Sequence, residues 1–364
     1  MGKQGIDCLV CYGTYQGWGN VFYLTNHWDM ISCYLILPAQ GEAVLFTGTF
    51  PHFEVARRDS IVRDVRFGGT QTLSLIVDEL RKRGLDRAVI GLIEPDSFRL
   101  PGIPHRDMAR LTAELPRATF VHATPVLEEL RRRKSDEEID FLRAGARLTD
   151  RAFEAAVAAI RPGATERDVA RVVTGSVGDA VAVLVGSTPM SNPSMPYPST
   201  RPSSRQLRRG DVVLVEFSVG CAGYAGQILR TVTLGPPTER YEELYAMALR
   251  SYRAICAILR EGRTALEVVE ATSFITEAGL TTGDPLVHGF GVGIEAGLHV
   301  GPKNHAAYWP PGTFTFPARA SVSIEPNPCT PDMKSGVVTG DLVIVRETGC
   351  EPLHHVPRES IIVV

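Results

Sequence analysis

The sequence predicts an α/β (α+β) chain arranged as two domains, and three features carry that expectation. At 364 residues the chain is longer than one hydrophobic core usually serves. Short apolar runs alternate with helical stretches from residue 1 to about residue 125. After residue 134 the pattern changes: a long amphipathic helix opens a region in which helices followed by strands occur twice.

Each element has a local reason. In the first domain, residues 1–125, "DCLVCYG", "SCYLILP", "EAVLFTG" and "AVIGLIE" are apolar runs of strand length, and "TLSLIVDELRKRG" has helical spacing. Interleaved strands and helices make an α/β layer domain. Residues 126–134, "VLEELRRRK", are expected to form a charged linker helix with a solvated face. The second domain, 135–364, opens with "SDEEIDFLRAGARLTDRAFEAAVAAIRPG". Ser135 followed by Glu138 is a capping box, and Pro162-Gly163 stops the helix. "TERDVARVVTGSVGD" continues as helix and "AVAVLVG" as strand. The Pro/Ser-rich stretch 187–211 is too broken for a regular element, and a loop of that length inside a compact domain is usually functional. "GDVVLVEFSVGCAGYAGQILRT", 210–231, reads as a buried strand, a tight turn and a second strand. Helices are expected at about 239–261 and 264–278, then a glycine-rich strand region "VHGFGVGIEAGLHVGP", then strands around "SVSIEPNP", "GDLVIVRETG" and "ESIIVV".

Composition excludes several classes. A net charge of −3 and no basic stripe argue against nucleic acid as a partner. The longest apolar runs, such as "AVAVLV", fall far short of the roughly 20 residues a membrane span needs. The amino terminus lacks a signal-peptide core and a myristoylation motif, so a soluble, cytoplasmic protein is expected. Seven scattered cysteines make no disulfide framework, and the lone Cys8-x-x-Cys11 reads as buried strand cysteines. The glycines of "GFGVG" lack dinucleotide-binding spacing and context.

Five motifs in order then resemble one superfamily. "NVFYLTN" resembles the "YLTG"-type start seen in prolidase and creatinase relatives. "KSDEEIDFLRAGARLTDRAF" with "IRPGATERDVA" resembles the "K-S-x-x-E-I" helix and its "PG-x-T-E" continuation. "GDVVLVEFS…GYAGQILRT" resembles a "GD-x-V-x-x-D…GY-x-S-D-x-T-R-T" hairpin, "HGFGVGIE" resembles "HGIGLEVH", and "IEPNP" resembles "IEPG". On these motifs the chain is similar to the creatinase/prolidase/methionine aminopeptidase superfamily (M24-like). The resemblance implies an N-terminal creatinase-like α/β domain and a C-terminal pita-bread catalytic domain.

The resemblance also implies where ligands of a two-metal centre would fall. The first Asp falls on Glu216, the second on Gln227, the His on His288, the first Glu on Glu325 and the last Glu on Gly340. Two ions about 3.5–4 Å apart need bridging carboxylates, and Gln227 and Gly340 supply none. Nor does the creatinase machinery transfer: its His falls near Ser199, with Tyr197 close by, and its Glu on Leu229. The expected function is therefore a metal-independent, creatinase-like enzyme without a cofactor. It would cleave or rearrange a C–N bond in a small amino-acid-derived or amidine-bearing substrate. His288, Glu216 and Glu325 are the expected catalytic groups. Gln227, Glu295, Tyr197, Ser199, Arg230 and His299 are the expected substrate-binding ones. The alternatives are an Xaa-Pro-type metallopeptidase with a reduced mononuclear site at Glu216, His288 and Glu325, and a non-catalytic peptide-binding module. Arg230 could instead pair structurally with the two acids, and His354-His355 is expected at the surface. The resemblance further implies a homodimer, with "HWD" at 27–29 near the mouth of the site.

Overall fold

The computed structural model describes residues 1–15, 17–29, 31–94, 102–176, 178–302 and 314–364. It divides into two compact units, Met1–Arg131 and Arg132–Val364.

The first unit is a mixed six-stranded sheet whose spatial order is Asp64–Phe67, Val44–Thr47, Ser32–Pro38, Cys8–Thr14, Val89–Ile93 and Thr119–His122. Cys8–Thr14 runs antiparallel to Ser32–Pro38 and parallel to Val89–Ile93. Such a central strand is covered on both faces and therefore reads as an unbroken apolar run. Cys8 and Val10 belong to one core cluster, Leu9 and Cys11 to another, so Cys8 and Cys11 are strand residues of opposite faces. The linker helix expected over 126–134 with a solvated face is a helix over Thr124–Arg132, and its other face packs into this unit: Leu127, Glu128 and Arg131 are buried. Arg131 donates to Asn20 Oδ1 at 2.5 Å and to Glu128 Oε1 at 3.2 Å. His27 and Asp29 are buried as well, with Asp29 Oδ1 2.8 Å from His52 Nδ1, while Trp28 stands exposed beside Tyr15.

The second unit opens with the helix Asp136–Ala159. Its start is the expected capping box: Glu138 N donates to Ser135 Oγ and Ser135 N to the Glu138 carboxylate. The main sheet then orders as Gly293–Val300, Val287–Gly291, Ser321–Ile324, Gly340–Val345, Ile228–Thr233, Asp211–Cys221 and Asp179–Pro189. The strand Asp211–Cys221 shows how the site is placed. Val213, Val215, Phe217 and Val219 pack with Phe153, Val169 and Val173 of the preceding helices. Val212 and Leu214 pack on the other face, with Tyr241, Leu244 and Tyr245 of the helix Glu239–Ile258. Side chains alternate along a strand, so Glu216 leaves on the second of these faces. There a carboxylate stands in a row where Leu-sized groups are each worth about 1.5–3 kcal/mol of burial.

Arg230 occupies the opposite parity. Leu229 is the register partner of Glu216, whereas Arg230 pairs with Val215. Its fully buried guanidinium donates to Asp341 Oδ1 at 2.9 Å and to the carbonyls of Leu229, Gly340, Val356 and Pro357. Burial alone would raise the Asp341 carboxyl, but Arg230 beside it, helped by His354 and Arg358, holds it below its ordinary value. The expectation that Arg230 binds substrate or pairs with Glu216 and Glu325 is thus corrected by strand parity. His354 is also buried, its Nδ1 2.6 Å from Asp150 Oδ1, and not at the surface as expected.

Breaking a buried pair leaves an uncompensated charge, so Arg230→Ala should lower the unfolding free energy by about 3–5 kcal/mol in denaturant titration. Because the folded Asp341 value is depressed, its contribution is present above the ordinary carboxylate value and lost as pH falls through the lower folded one. The cost of Arg230→Ala should therefore shrink in strongly acidic buffer.

Candidate active site

Glu216 is 8 % exposed, and its carboxylate is satisfied by two neighbours. Tyr197 OH donates to Oε2 at 3.0 Å and Gln227 Nε2 donates to Oε1 at 2.8 Å. Tyr197 reaches it from the irregular segment 190–210, shorter than the expected 187–211 because residues 187–189 and 211 belong to strands; the segment is pinned, since Glu166 Oε1 accepts from Ser187 N and Oγ, and Glu166 Oε2 from Ser203 N. Arg205 ties the same segment to Asp211. Gln227 sits just before the strand Ile228–Thr233, whose first residues pair with Phe217 and Glu216.

His288 and Glu325 form the second half of the centre. Val287–Gly291 and Ser321–Ile324 run antiparallel, with His288 opposite Ser323, and Glu325 follows directly at the strand end. His288 Nδ1 donates to Gly289 O at 3.0 Å, which turns Nε2 toward Glu325 Oε2 at 3.3 Å. That contact is ionic rather than an aligned hydrogen bond, since Glu325 Oε2 has no hydrogen-bond partner. Gln227 Oε1 is likewise a buried acceptor without a donor.

Burial and charge shift Glu216, Glu325, His288 and Tyr197. Burial raises Glu216, although His288, Tyr197 and Gln227 oppose the rise. Burial also pushes Glu325 up to about 7, against the attraction of His288 and with the repulsion of Glu216 and Asp284. Desolvation works against the His288 cation, but the Glu325 carboxylate outweighs it and lifts the imidazole to about 9. The Tyr197 phenol is pushed well above its usual value by burial and by the charges of Glu216, Glu325 and Asp284.

The other expected residues are placed differently. His299 is the register partner of His288, buried, with ring centroids 6.0 Å apart. Glu295 pairs with the buried Lys134, and a side chain at Gly291 would enter that pair, meeting Lys134 Cε at 3.1 Å. Lys134 comes from the start of the "KSDEE" motif, so the glycine-rich strands make room for an ion pair. Ser199 Oγ turns into its own loop, accepting from Arg201 N at 3.1 Å.

Two residues that no sequence pattern singled out belong here. Asp284 acts electrostatically on Tyr197, Glu216 and Glu325. Asn327, fully buried, holds the segment that carries it. Its Oδ1 accepts from Gly283 N at 2.8 Å and Asp284 N at 3.0 Å, and its Nδ2 donates to Pro285 O at 2.9 Å and Glu325 O at 2.7 Å. The only sequence signal was the Asn of "IEPNP" where the resembling motif has Gly.

Residues 140–347 match Metallopeptidase family M24, and residues 1–133 match the Creatinase/Prolidase N-terminal domain. The chain belongs to the M24 family. It is 33% identical over 291 residues to the probable dipeptidase PepE of Mycobacterium tuberculosis, covering 77% of this chain and 73% of that one. It is 28% identical over 247 residues to the Xaa-Pro dipeptidase of Pyrococcus furiosus, covering 66% and 68%. The X-Pro aminopeptidase of Thermotoga maritima has the same fold, with TM-score 0.83, 20% identity and coverage of 100% of this chain and 97% of that one. These findings overturn the expectation of a metal-independent, creatinase-like enzyme for amidine-bearing substrates: the relatives are named as peptidases, and the chain is a hydrolase-family member of that kind.

The two-ion group that the family resemblance implies does not fit the residues present. Gln227 supplies an N–H toward Glu216 where an anion would stand. At Gly340 a Cβ would lie 2.9 Å from Glu325 Cα and closer still to the Ile324 carbonyl oxygen, so backbone closes the last ligand position. Among the described residues no group of three His, Cys, Asp or Glu side chains is arranged to hold a metal ion. Gly340→Ala should consequently cost about 1–3 kcal/mol by overpacking. A thermal unfolding curve that superimposes on wild type would refute this account of the closed position.

Proposed function

We infer that this protein is a hydrolase of short peptides, of the Xaa-Pro dipeptidase type, working from a reduced centre. The carrying observation is that Glu216, His288 and Glu325, carried by three strands of one sheet, are all buried and act on one another electrostatically, with His288 Nε2 3.3 Å from Glu325 Oε2, in a chain of the M24 family. The similarity to named dipeptidases supports the substrate class.

Each residue has a role that its surroundings allow. Glu325, with a carboxyl near 7, changes protonation in the working range and is the group to take a proton from water and return it to the leaving nitrogen. His288, near 9, is cationic at neutral pH and holds positive charge where the carbonyl oxygen gains negative charge. Glu216 keeps that cation in place electrostatically and anchors Tyr197, whose un-ionised hydroxyl remains a donor. The donor types here, two carboxylates and an imidazole, suit at most one ion.

Hydrolysis of dipeptides, followed by amino-acid release, should fall about 10²–10⁴-fold in His288→Ala and in Glu325→Gln while thermal unfolding stays cooperative. Full activity in either variant removes that residue from the mechanism. The rate should rise as pH passes about 7, where Glu325 ionises, and fall as it passes about 9, where His288 loses its proton. The two limbs belong to the pair. Elemental analysis of protein purified without chelator should find no more than one ion per chain; two per chain would defeat the reduced-centre reading.

A further inference from the structure

Away from the centre, the second unit brings together two thiols that the sequence sets 94 positions apart. Cys256 lies in the last turn of the helix Glu239–Ile258, and Cys350 opens the short strand Cys350–Pro352 with Val345 as its register partner. Tyr252 and Cys256 are four positions apart and share a helix face. Tyr252, Val343 and Val345 belong to the core cluster on which both cysteines pack. Cys350 Sγ is 4.0 Å from the Cys256 carbonyl oxygen. Both thiols are free and half-buried, whereas Cys8, Cys11, Cys33 and Cys329 are buried.

The surroundings make the two sulfurs chemically unequal. A hydrogen bond from Cys256 holds the Cys350 thiol below its ordinary value against burial, and the Arg358 guanidinium adds to the effect. The same bond, together with burial, pushes Cys256 above its own. Arg358 is held in place: its guanidinium lies 4.7 Å from the centroid of the Tyr252 ring and is paired with Asp341. A thiolate is the form that attacks. One sulfur of the pair is therefore the nucleophile, and the other carries the proton.

We propose that Cys256 and Cys350 are a modification site, a dithiol that a small peroxide closes into a disulfide latching the end of the helix Glu239–Ile258 to the strand Cys350–Pro352. The Cys350 thiolate attacks one peroxide oxygen, the O–O bond breaks and hydroxide leaves, so that Cys350 becomes a sulfenic acid. The Cys256 sulfur then attacks the Cys350 sulfur, the S–O bond breaks, and the departing hydroxide takes up the Cys256 proton as water. Two thiols lose two electrons, and one peroxide gains them to become two waters. The sulfurs end about 2.05 Å apart. The loop so closed carries His288 and Glu325, and closing a long loop removes freedom from the unfolded chain. The oxidised chain is then the more stable one. The latch is independent of the peptidase reading.

The test is limited hydrogen peroxide on the full chain, alkylation of the remaining thiols after unfolding, and peptide mass spectrometry. Cys256 and Cys350 should appear as one cross-linked pair, two hydrogens lighter, which dithiothreitol returns to two thiols. The thermal midpoint of the wild type should rise by about 4 °C or more on oxidation, and that of C350S should stay where it was. Dimedone should capture a sulfenic acid at Cys350 in C256S and none at Cys256 in C350S. The wild-type cross-link is read without any variant, so a serine form that fails to fold leaves the test standing. The proposal is overturned if both thiols are still alkylated once the exposed Met333 has become sulfoxide, or if either sulfur bonds a different cysteine. It is equally overturned if dimedone marks Cys256 instead, or if the bond forms without moving the midpoint.

Discussion

The centre follows from one constraint: carboxylates are buried with too little positive charge around them. Desolvating a carboxylate costs several kcal/mol even after relaxation. Glu216 stands in a strand otherwise packed with Val, Leu and Phe on both faces, so it requires donors of its own. It obtains them from a phenol and an amide, two neutral groups. An Asp at 227 would add a second anion against the first. The amide presents its N–H to Glu216 and leaves an oxygen facing away, replacing a charge by a dipole. This is why a strand pair shaped for two acids carries only one.

The same constraint organises the neighbours. Glu325 cannot ionise freely beside Glu216 and Asp284, and His288 cannot easily lose its proton beside Glu325. Glu325 lifts His288, whereas burial lifts Glu325 against the pull of His288, and the pair is held together by backbone: the Gly289 carbonyl orients the imidazole and Asn327 orients the end of the Glu325 strand. Elsewhere in the unit, two buried cations are held in pairs. Arg230 with Asp341, and Lys134 with Glu295, are stitched into strands and carbonyls rather than left facing a cavity. A buried cation that is fully engaged stabilises the scaffold; it is not available to a ligand.

Much of the fold was legible because its signals are local. The capping box at Ser135 and Glu138, the Pro162-Gly163 stop and the apolar runs of the central strands each state their own structure. Glu216, His288 and Glu325 were legible because they interrupt apolar strands in a motif order that the family shares. What escaped was set by long-range geometry. Whether Arg230 faces the acids depends on strand parity, and whether His354 is buried depends on Asp150, which lies in the opening helix of the same unit. Asp284 and Asn327 sit in irregular segments without periodicity, and their partnership spans more than forty positions of sequence.

The misreading of function has its own physical lesson. Losing the anions at 227 and 340 changes how many cations the pocket can neutralise. It does not rebuild the strands that place Glu216, His288 and Glu325, nor the loop that brings Tyr197 to them. The relatives are named as dipeptidases, and the strands that place these three side chains are present here although the ligand set is incomplete. Two missing ligands bear on how many ions can be neutralised and do not by themselves define a new substrate. Gly340 adds a further step: its strand has closed against Ile324 and Glu325, so restoring a carboxylate there would require the backbone to move as well as the side chain to change.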